Sequence, residues 1–200
     1  VTLYDIKPQF QNLLRPLVLK LHQRGVTPNQ VTLTALAMSV IAGVLLSAFP
    51  CPLLFLSLGV FLTVRMALNA LDGMLAREFN QQTRTGAILN EVGDILSDVS
   101  LYLPFAFLPD VSLWWVILVL FLSCLTEFCA VVSQTLTGQR GNGGPLGKSD
   151  RALLFGTTGL GIALWPQYLF IINIVFIIAA PLLVWTCINR CRGAMVAKNV

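Results

Sequence analysis

At 200 residues, 56% of them hydrophobic and only 11% charged, with a mean hydropathy of +0.79, the chain is too apolar for a soluble domain. Apolar runs of about 20 residues recur along it and mark a polytopic membrane protein. Its net charge of +4 is no nucleic-acid footprint, because the basic residues sit in short loops; they read as topology signals and as contacts for phosphates or lipid headgroups.

Residues 9 to 24 set Phe10, Leu13, Leu14, Leu17 and Leu21 on one helical face, with Gln11, Arg15, Lys20 and Gln23 elsewhere. The pattern fits a helix lying in the interface plane, basic side toward anionic headgroups, and equally a plain amphipathic packing helix. Pro16 kinks that helix or starts it afresh. No signal peptide is legible, since Lys7, Arg15 and Lys20 are spread along the segment instead of preceding an apolar core.

Thr27 and Pro28 are a helix-start signal, Thr as N-cap and Pro at the first helical position. Six spans follow, at about 29–49, 53–77, 86–110, 113–136, 152–165 and 169–188. Trp114 and Trp115 stand as interface anchors for the fourth. The fifth is short unless the end of the loop before it is helical too. The expected fold is all-α: a membrane helix bundle of six transmembrane helices with an N-terminal amphipathic interfacial helix. It forms one domain over 1–200, with an interfacial segment at 1–26 and the bundle at 27–190. Cys51, Cys124, Cys129, Cys187 and Cys191 contain no C-x-x-C pair and read as structural.

Of the thirteen Lys and Arg, all but Arg65 lie in the N-terminal segment, the turn at 77–84, the loop at 140–151 or the tail with Arg190, Arg192 and Lys198. Turns near 50, 110 and 166 hold none. Positive charge stays inside, so both termini and both basic loops are expected on the cytoplasmic face of an integral membrane protein.

One stretch breaks the apolar pattern. Asn69, Asp72, Gly73 and Ala76 fall on one stripe of the second span at i, i+3, i+4 and i+7. Asn90 and Asp94 are i, i+4 on the third, and Asp98 continues that row. A short polar turn at 81–85 joins the two helices, which pack antiparallel and turn their stripes toward each other. Carboxylates and carboxamides converging near a membrane surface suit a hard cation such as Mg²⁺, which takes oxygen ligands and shares them with phosphates. Gly73 and the small Ala76 let a bulky ligand approach the backbone.

The spacing resembles the signature of the CDP-alcohol phosphotransferases, D-x2-D-G-x2-A-R-x8-G-x3-D-x3-D. Asp72, Gly73, Ala76, Arg77, Gly86 and Asp94 match it at every interval, while Asn69 and Asn90 stand where the family has its first and third Asp. The resemblance covers mainly the second and third spans, with a family-like T-P-N at the start of the first. It implies transfer of a phosphatidyl or similar group from a CDP-linked lipid donor, CDP-diacylglycerol above all, to an acceptor hydroxyl with release of CMP. Asn69, Asp72, Asn90 and Asp94 would then be metal ligands for one or two Mg²⁺ or Mn²⁺ ions. Asp94 would also be the base, and Gly73, Ala76, Arg77 and Gly86 would surround the nucleotide. The family further implies a homodimer and a bacterial inner membrane.

The four motif positions bring two carboxylates instead of four, so a single ion is the natural load. Two readings stay open: an active transferase with altered metal dependence, and a catalytically silent relative that binds nucleotide lipid or supports a partner membrane enzyme. Arg140, Lys148 and Arg151 lie on the same face as the cleft mouth, where they hold a phosphate or act as topology signals alone. Gly141, Gly143, Gly144 and Gly147 would let their loop fold over it. The acceptor is a small alcohol or a phosphorylated polyol; the turn at 80–87 is similar to that of family members using glycerol phosphate.

Deeper, Arg65 stands mid-span, roughly 18 Å below Arg77 at the helical rise, with Asp98 and Glu127 at a similar depth. A buried charge wants a partner, so Arg65 is expected to pair with Asp98 or Glu127. It also shares the Asn69–Asp72 stripe, which leaves room for a role in the site.

Overall fold

The computed structural model describes residues 3–196; Lys198 and the side chain of Lys7 lie outside the described part. Seven α-helices follow one another: α1 Leu3–Gln23, α2 Pro28–Ala48, α3 Pro52–Glu78, α4 Arg84–Tyr102, α5 Leu113–Thr137, α6 Lys148–Leu164 and α7 Ile171–Val196. No strand occurs among the described residues. Helices α2, α3, α5 and α7 are long and apolar enough to cross a membrane by length and composition. Helices α4, of 19 residues, and α6, of 17, stand where two further spans are expected. They carry Glu91, Asp94 and Asp98, and Lys148, Asp150 and Arg151, which keep them more polar.

Local chemistry explains the boundaries. Thr27 caps α2 in a reciprocal capping box: its hydroxyl accepts from Gln30 N at 3.3 Å, and the Gln30 side chain accepts from Thr27 N at 2.9 Å. Thr83 caps α4 by accepting from Gly86 N at 2.9 Å. The expected third span is cut short: α4 stops at Tyr102, and Pro104 sits in a 3₁₀ turn over Leu103–Phe107. Conversely α7 runs on to Val196, through Pro181, and so carries Arg190 back into the bundle. Helix α6 starts at Lys148, with Asp150 accepting from Gly147 N at 2.9 Å, so the end of the preceding loop is helical.

Helix α1 passes through Pro16 without a second start. Leu14, Val18 and Leu21 pack on Leu71, Met74 and Leu75 of α3, while Leu13 and Leu17 remain exposed. His22, given no role by the sequence, stacks on Phe79 with centroids 3.6 Å apart.

Two close crossings position the site. A Cβ on Gly43 of α2 would stand 2.1 Å from the Ser100 carbonyl oxygen of α4. One on Gly159 of α6 would stand 2.6 Å from the Phe55 carbonyl oxygen of α3. Only glycine permits backbones that near. One half of the bundle is an apolar core in which Phe55, Tyr102, Phe105, Phe155 and Phe176 pack ring on ring. The other half, toward the 79–83 and 138–147 loops, holds the charges. All five cysteines are free thiols.

Candidate active site

The two polar stripes touch through their side chains, but α3 and α4 do not pack on each other as the short turn leads one to expect: each lies against α2 instead. Asn69 on α3 donates its amide N–H to Asp94 Oδ1 on α4 at 3.0 Å. Asp72, one turn further along α3, is buried and accepts from the Thr32 hydroxyl of α2 at 2.7 Å. It lies within electrostatic range of Asp94 and Lys148. Asp94 is half-buried and has two cationic neighbours: Lys148 contacts its Oδ2, and Arg65 Nη2 stands 3.5 Å from its Oδ1. Asn90, a turn toward the mouth, is half-buried.

At the mouth, the Arg77 guanidinium folds back over Gly73, so that a Cβ there would meet Arg77 Nη1 at 3.1 Å. Ala76 is half-buried beside them. A Cβ on Gly86 would meet Asn29 Oδ1 at 2.6 Å, which seats the first turn of α4 against the start of α2. The 69–94 motif, carried by α3 and α4, is thus seated against α2 through Thr32 and Asn29.

Beneath it runs a ladder of buried ions. Arg65 donates Nη1 to Asp98 at 2.6 Å and Nη2 to the Asp94 carbonyl at 3.0 Å. Of its two expected partners it takes Asp98. Arg151 Nη2 bridges Asp98 at 3.0 Å and Glu127 at 2.9 Å, and its Nη1 donates to the Thr126 hydroxyl. Glu127 also accepts from Arg140 Nη2 at 2.8 Å and faces Arg190 Nη1 at 3.4 Å. Arg140 reaches Glu91 as well. Burial opposes the Arg140 charge, yet Glu91 and Glu127 outweigh it and hold that guanidinium above its ordinary pKa.

This geometry corrects the expectation for the basic loop. Arg151 does not line the mouth: it is fully buried, because α6 begins at Lys148 and turns Arg151 inward onto Asp98 and Glu127. Arg140 is occupied by two carboxylates. Of the three loop cations, only Lys148 touches a motif residue. The glycine-rich loop packs on the end of α7, with Leu146 N donating to the Thr186 hydroxyl at 3.1 Å and Gly144, at φ +128°, lying against Thr186. Folding over the cleft is not its arrangement here. Thr32, Asn29 and Glu91 beside the motif, and Arg190 in the ion ladder beneath it, are residues that spacing does not disclose. The T-P-N start points at Asn29 alone, and Arg190 has no signal beyond its charge.

The donor set at the motif is all oxygen: two carboxylates and two carboxamides. Among the described residues no cluster of three His, Cys, Asp or Glu gathers to hold a metal. Two carboxylates plus ligand phosphates are nonetheless the common holding of Mg²⁺, so the residues present fit one hard divalent cation.

Comparison with known proteins agrees with the motif. Residues 25–185 match the family model of the CDP-alcohol phosphatidyltransferases. The chain is 56% identical over 195 residues, 98% of its length and 97% of the other's, to the inner membrane protein YnbA of Escherichia coli (strain K12). It is 30% identical over 169 residues, 78% of this chain and 68% of the other, to the phosphatidylinositol phosphate synthase of Mycobacterium marinum. The crystal structure of the Mycobacterium tuberculosis phosphatidylinositol phosphate synthase with CDP-DAG bound shares the fold, with a TM-score of 0.73 at 21% identity over 91% of this chain and 93% of that one. A second crystal structure of that enzyme, with manganese and citrate, has a TM-score of 0.73 at 21% identity, covering 91% and 88%.

Proposed function

The chain belongs to the CDP-alcohol phosphatidyltransferase family, and from that premise we propose that it moves a phosphatidyl or related phosphoalcohol group from a CDP-linked donor, CDP-diacylglycerol, to the hydroxyl of a small alcohol or phosphorylated polyol. The observation that carries this reading is that Asp72 on α3 lies within electrostatic range of Asp94 on α4, with Asn69 hydrogen-bonded to Asp94. The Mycobacterium tuberculosis synthase that shares this fold holds CDP-DAG in its crystal structure, and a donor of the same chemistry suits a cleft of this charge.

Asp72 and Asp94, with the amide oxygens of Asn69 and Asn90, would hold one Mg²⁺ or Mn²⁺. When bound, such an ion neutralises charge on the donor diphosphate. Thr32 fixes the Asp72 carboxylate by its hydrogen bond. Asp94 is the carboxylate that takes the proton of the acceptor hydroxyl. The acceptor oxygen then forms a bond to the phosphorus bearing the lipid, and the bond from that phosphorus to the bridging oxygen breaks, releasing CMP. Gly73, Ala76 and Gly86 leave room for the nucleotide, and Arg77 meets its phosphates. Arg140 and Arg151 hold the bundle behind the site.

The setting goes with the chemistry. Six spans in one domain, with α4 and α6 completing the four apolar helices, put both termini and the cleft on the cytoplasmic side of a bacterial inner membrane. The exposed Leu13 and Leu17 of α1 then dip toward the acyl chains just beneath the lipid headgroups. A homodimer would follow the family.

Inside-out membrane vesicles supplied with CDP-diacylglycerol, Mn²⁺ and a panel of glycerol, glycerol 3-phosphate, inositol and serine are expected to release CMP with at least one acceptor. Right-side-out vesicles should stay silent, and Asp94→Ala should abolish release. The amide at 69, donating to Asp94 where the family has an acid, favours one second reading: a silent relative that binds nucleotide lipid or supports a partner enzyme. Metal-dependent nucleotide binding with no CMP from any acceptor would replace the first reading by the second.

A further inference from the structure

Lys148 contacts Oδ2 of Asp94, the oxygen that Asn69 and Arg65 leave over on a carboxylate that the reading above gives to a divalent cation. Two cations cannot share that oxygen closely without repulsion, so the ammonium and the metal compete for it. Asp94 is already served on its other side, where Arg65 stands 3.5 Å from Oδ1 and Asn69 donates at 3.0 Å. Its charge is therefore well compensated before any metal arrives.

Other charges near Lys148 give it no second anchor. Asp150 turns back to the backbone of Gly147, and Glu127 and Glu91 are taken by arginines. Asp72 lies within electrostatic range of Lys148, but its Oδ2 accepts the Thr32 hydroxyl. Lys148 is about a quarter exposed and sits at the first position of α6 after Gly147, on a flexible four-carbon stem. It can leave Asp94 for a phosphate oxygen without moving a helix.

We propose that Lys148 is a positioning residue that couples cation binding to diphosphate binding: it holds Asp94 until a nucleoside diphosphate draws the ammonium away and opens the oxygen to the metal. The inference rests on Asp94 being a metal ligand. Coupling of this kind is reciprocal, so the metal must strengthen diphosphate binding by the same factor as the diphosphate strengthens metal binding.

The test is a Mn²⁺ titration of the purified protein, followed by the electron paramagnetic resonance of free Mn²⁺, with and without CDP as the probe. In the wild-type protein Mn²⁺ is expected to bind weakly alone and much more tightly with CDP. Lys148→Met should tighten Mn²⁺ alone by up to about fivefold, the effect of freeing a partly exposed carboxylate from one ion pair. It should also shrink the gain from CDP. Lys148→Arg, which keeps the charge, should behave as wild type. Unchanged or weaker Mn²⁺ binding alone in Lys148→Met, while Asp94→Asn still loses the ion, would overturn the coupling and leave the metal site standing. No Mn²⁺ binding by wild type even with CDP would overturn the metal-site reading and the coupling with it. A merely structural Lys148 would change Mn²⁺ affinity with and without CDP by the same factor; coupling requires the affinity for Mn²⁺ alone to rise while the gain from CDP falls.

Discussion

Thr32 shows how much of the site depends on a residue outside the motif. Its hydroxyl, held between the Pro28 carbonyl at 3.1 Å and Asp72 at 2.7 Å, aims a buried carboxylate across the α2–α3 boundary. Hydrogen bonds to charged groups contribute about 1.5–3 kcal/mol, which corresponds to about tenfold or more in an equilibrium. Thr32→Val keeps the shape and removes the donor. It is expected to raise the Mn²⁺ concentration for half-maximal CMP release about tenfold, while Thr32→Ser stays near wild type. If Val and Ser variants share the wild-type Mn²⁺ dependence, Asp72 does not rely on this contact. Spacing could not reveal Thr32, because it lies 40 positions from its partner. The nearness of the Asn69–Asp72 stripe to Asp94 was legible because both stripes sit on helices joined by a short turn. The identity of the Arg65 partner was half legible: depth narrowed it to Asp98 or Glu127, and the side chains of α6 and α7 decided it by claiming Glu127 for Arg151 and Arg190.

Among elements, α4 governs the site, since it carries Asn90 and Asp94 and is held against α2 at the Gly43–Ser100 crossing. A methyl at Gly43 would stand 2.1 Å from the Ser100 carbonyl oxygen, so Gly43→Ala forces the two helices apart. Overpacking of this kind costs about 1–3 kcal/mol. The variant is expected to melt several degrees lower in detergent and to lose activity, as Asp94 shifts away from Asp72. Gly161→Ala, where a Cβ meets nothing within 4 Å, supplies the control and should melt at or slightly above wild type. Equal melting of the two variants would mean that α2 and α4 do not cross so closely. The helices themselves were readable from apolar runs and from the Thr27 and Pro28 start. Their ends were read less well. The 3₁₀ turn after Tyr102 follows from Pro104, which the apolar run around it disguised. The early start of α6 follows from the Gly147–Asp150 cap inside a loop rich in glycine, and it is this start that turns Arg151 inward.

At the scale of the molecule, one half is an aromatic core and the other a lattice of ions linking α3, α4, α5, α6, α7 and the 138–147 loop. Composition and the distribution of Lys and Arg revealed the membrane class and the end of the bundle where the charges gather. They did not reveal that the cations of the basic loop serve mostly to hold carboxylates, because such pairings join residues far apart in the chain. Glu127, with three arginine partners, is the centre of that lattice. The lattice makes a rigid wall behind Asp94, while Lys148 alone of the loop cations reaches the motif. The proposed function depends on Asp72 and Asp94 together clasping a divalent cation against a cytidine diphosphate. Crystals grown with Mn²⁺ and CDP-diacylglycerol, measured at the manganese absorption edge, decide this. An anomalous peak in direct coordination with both carboxylates and with the donor diphosphate is expected; bound donor with no peak between Asp72 and Asp94 would contradict it.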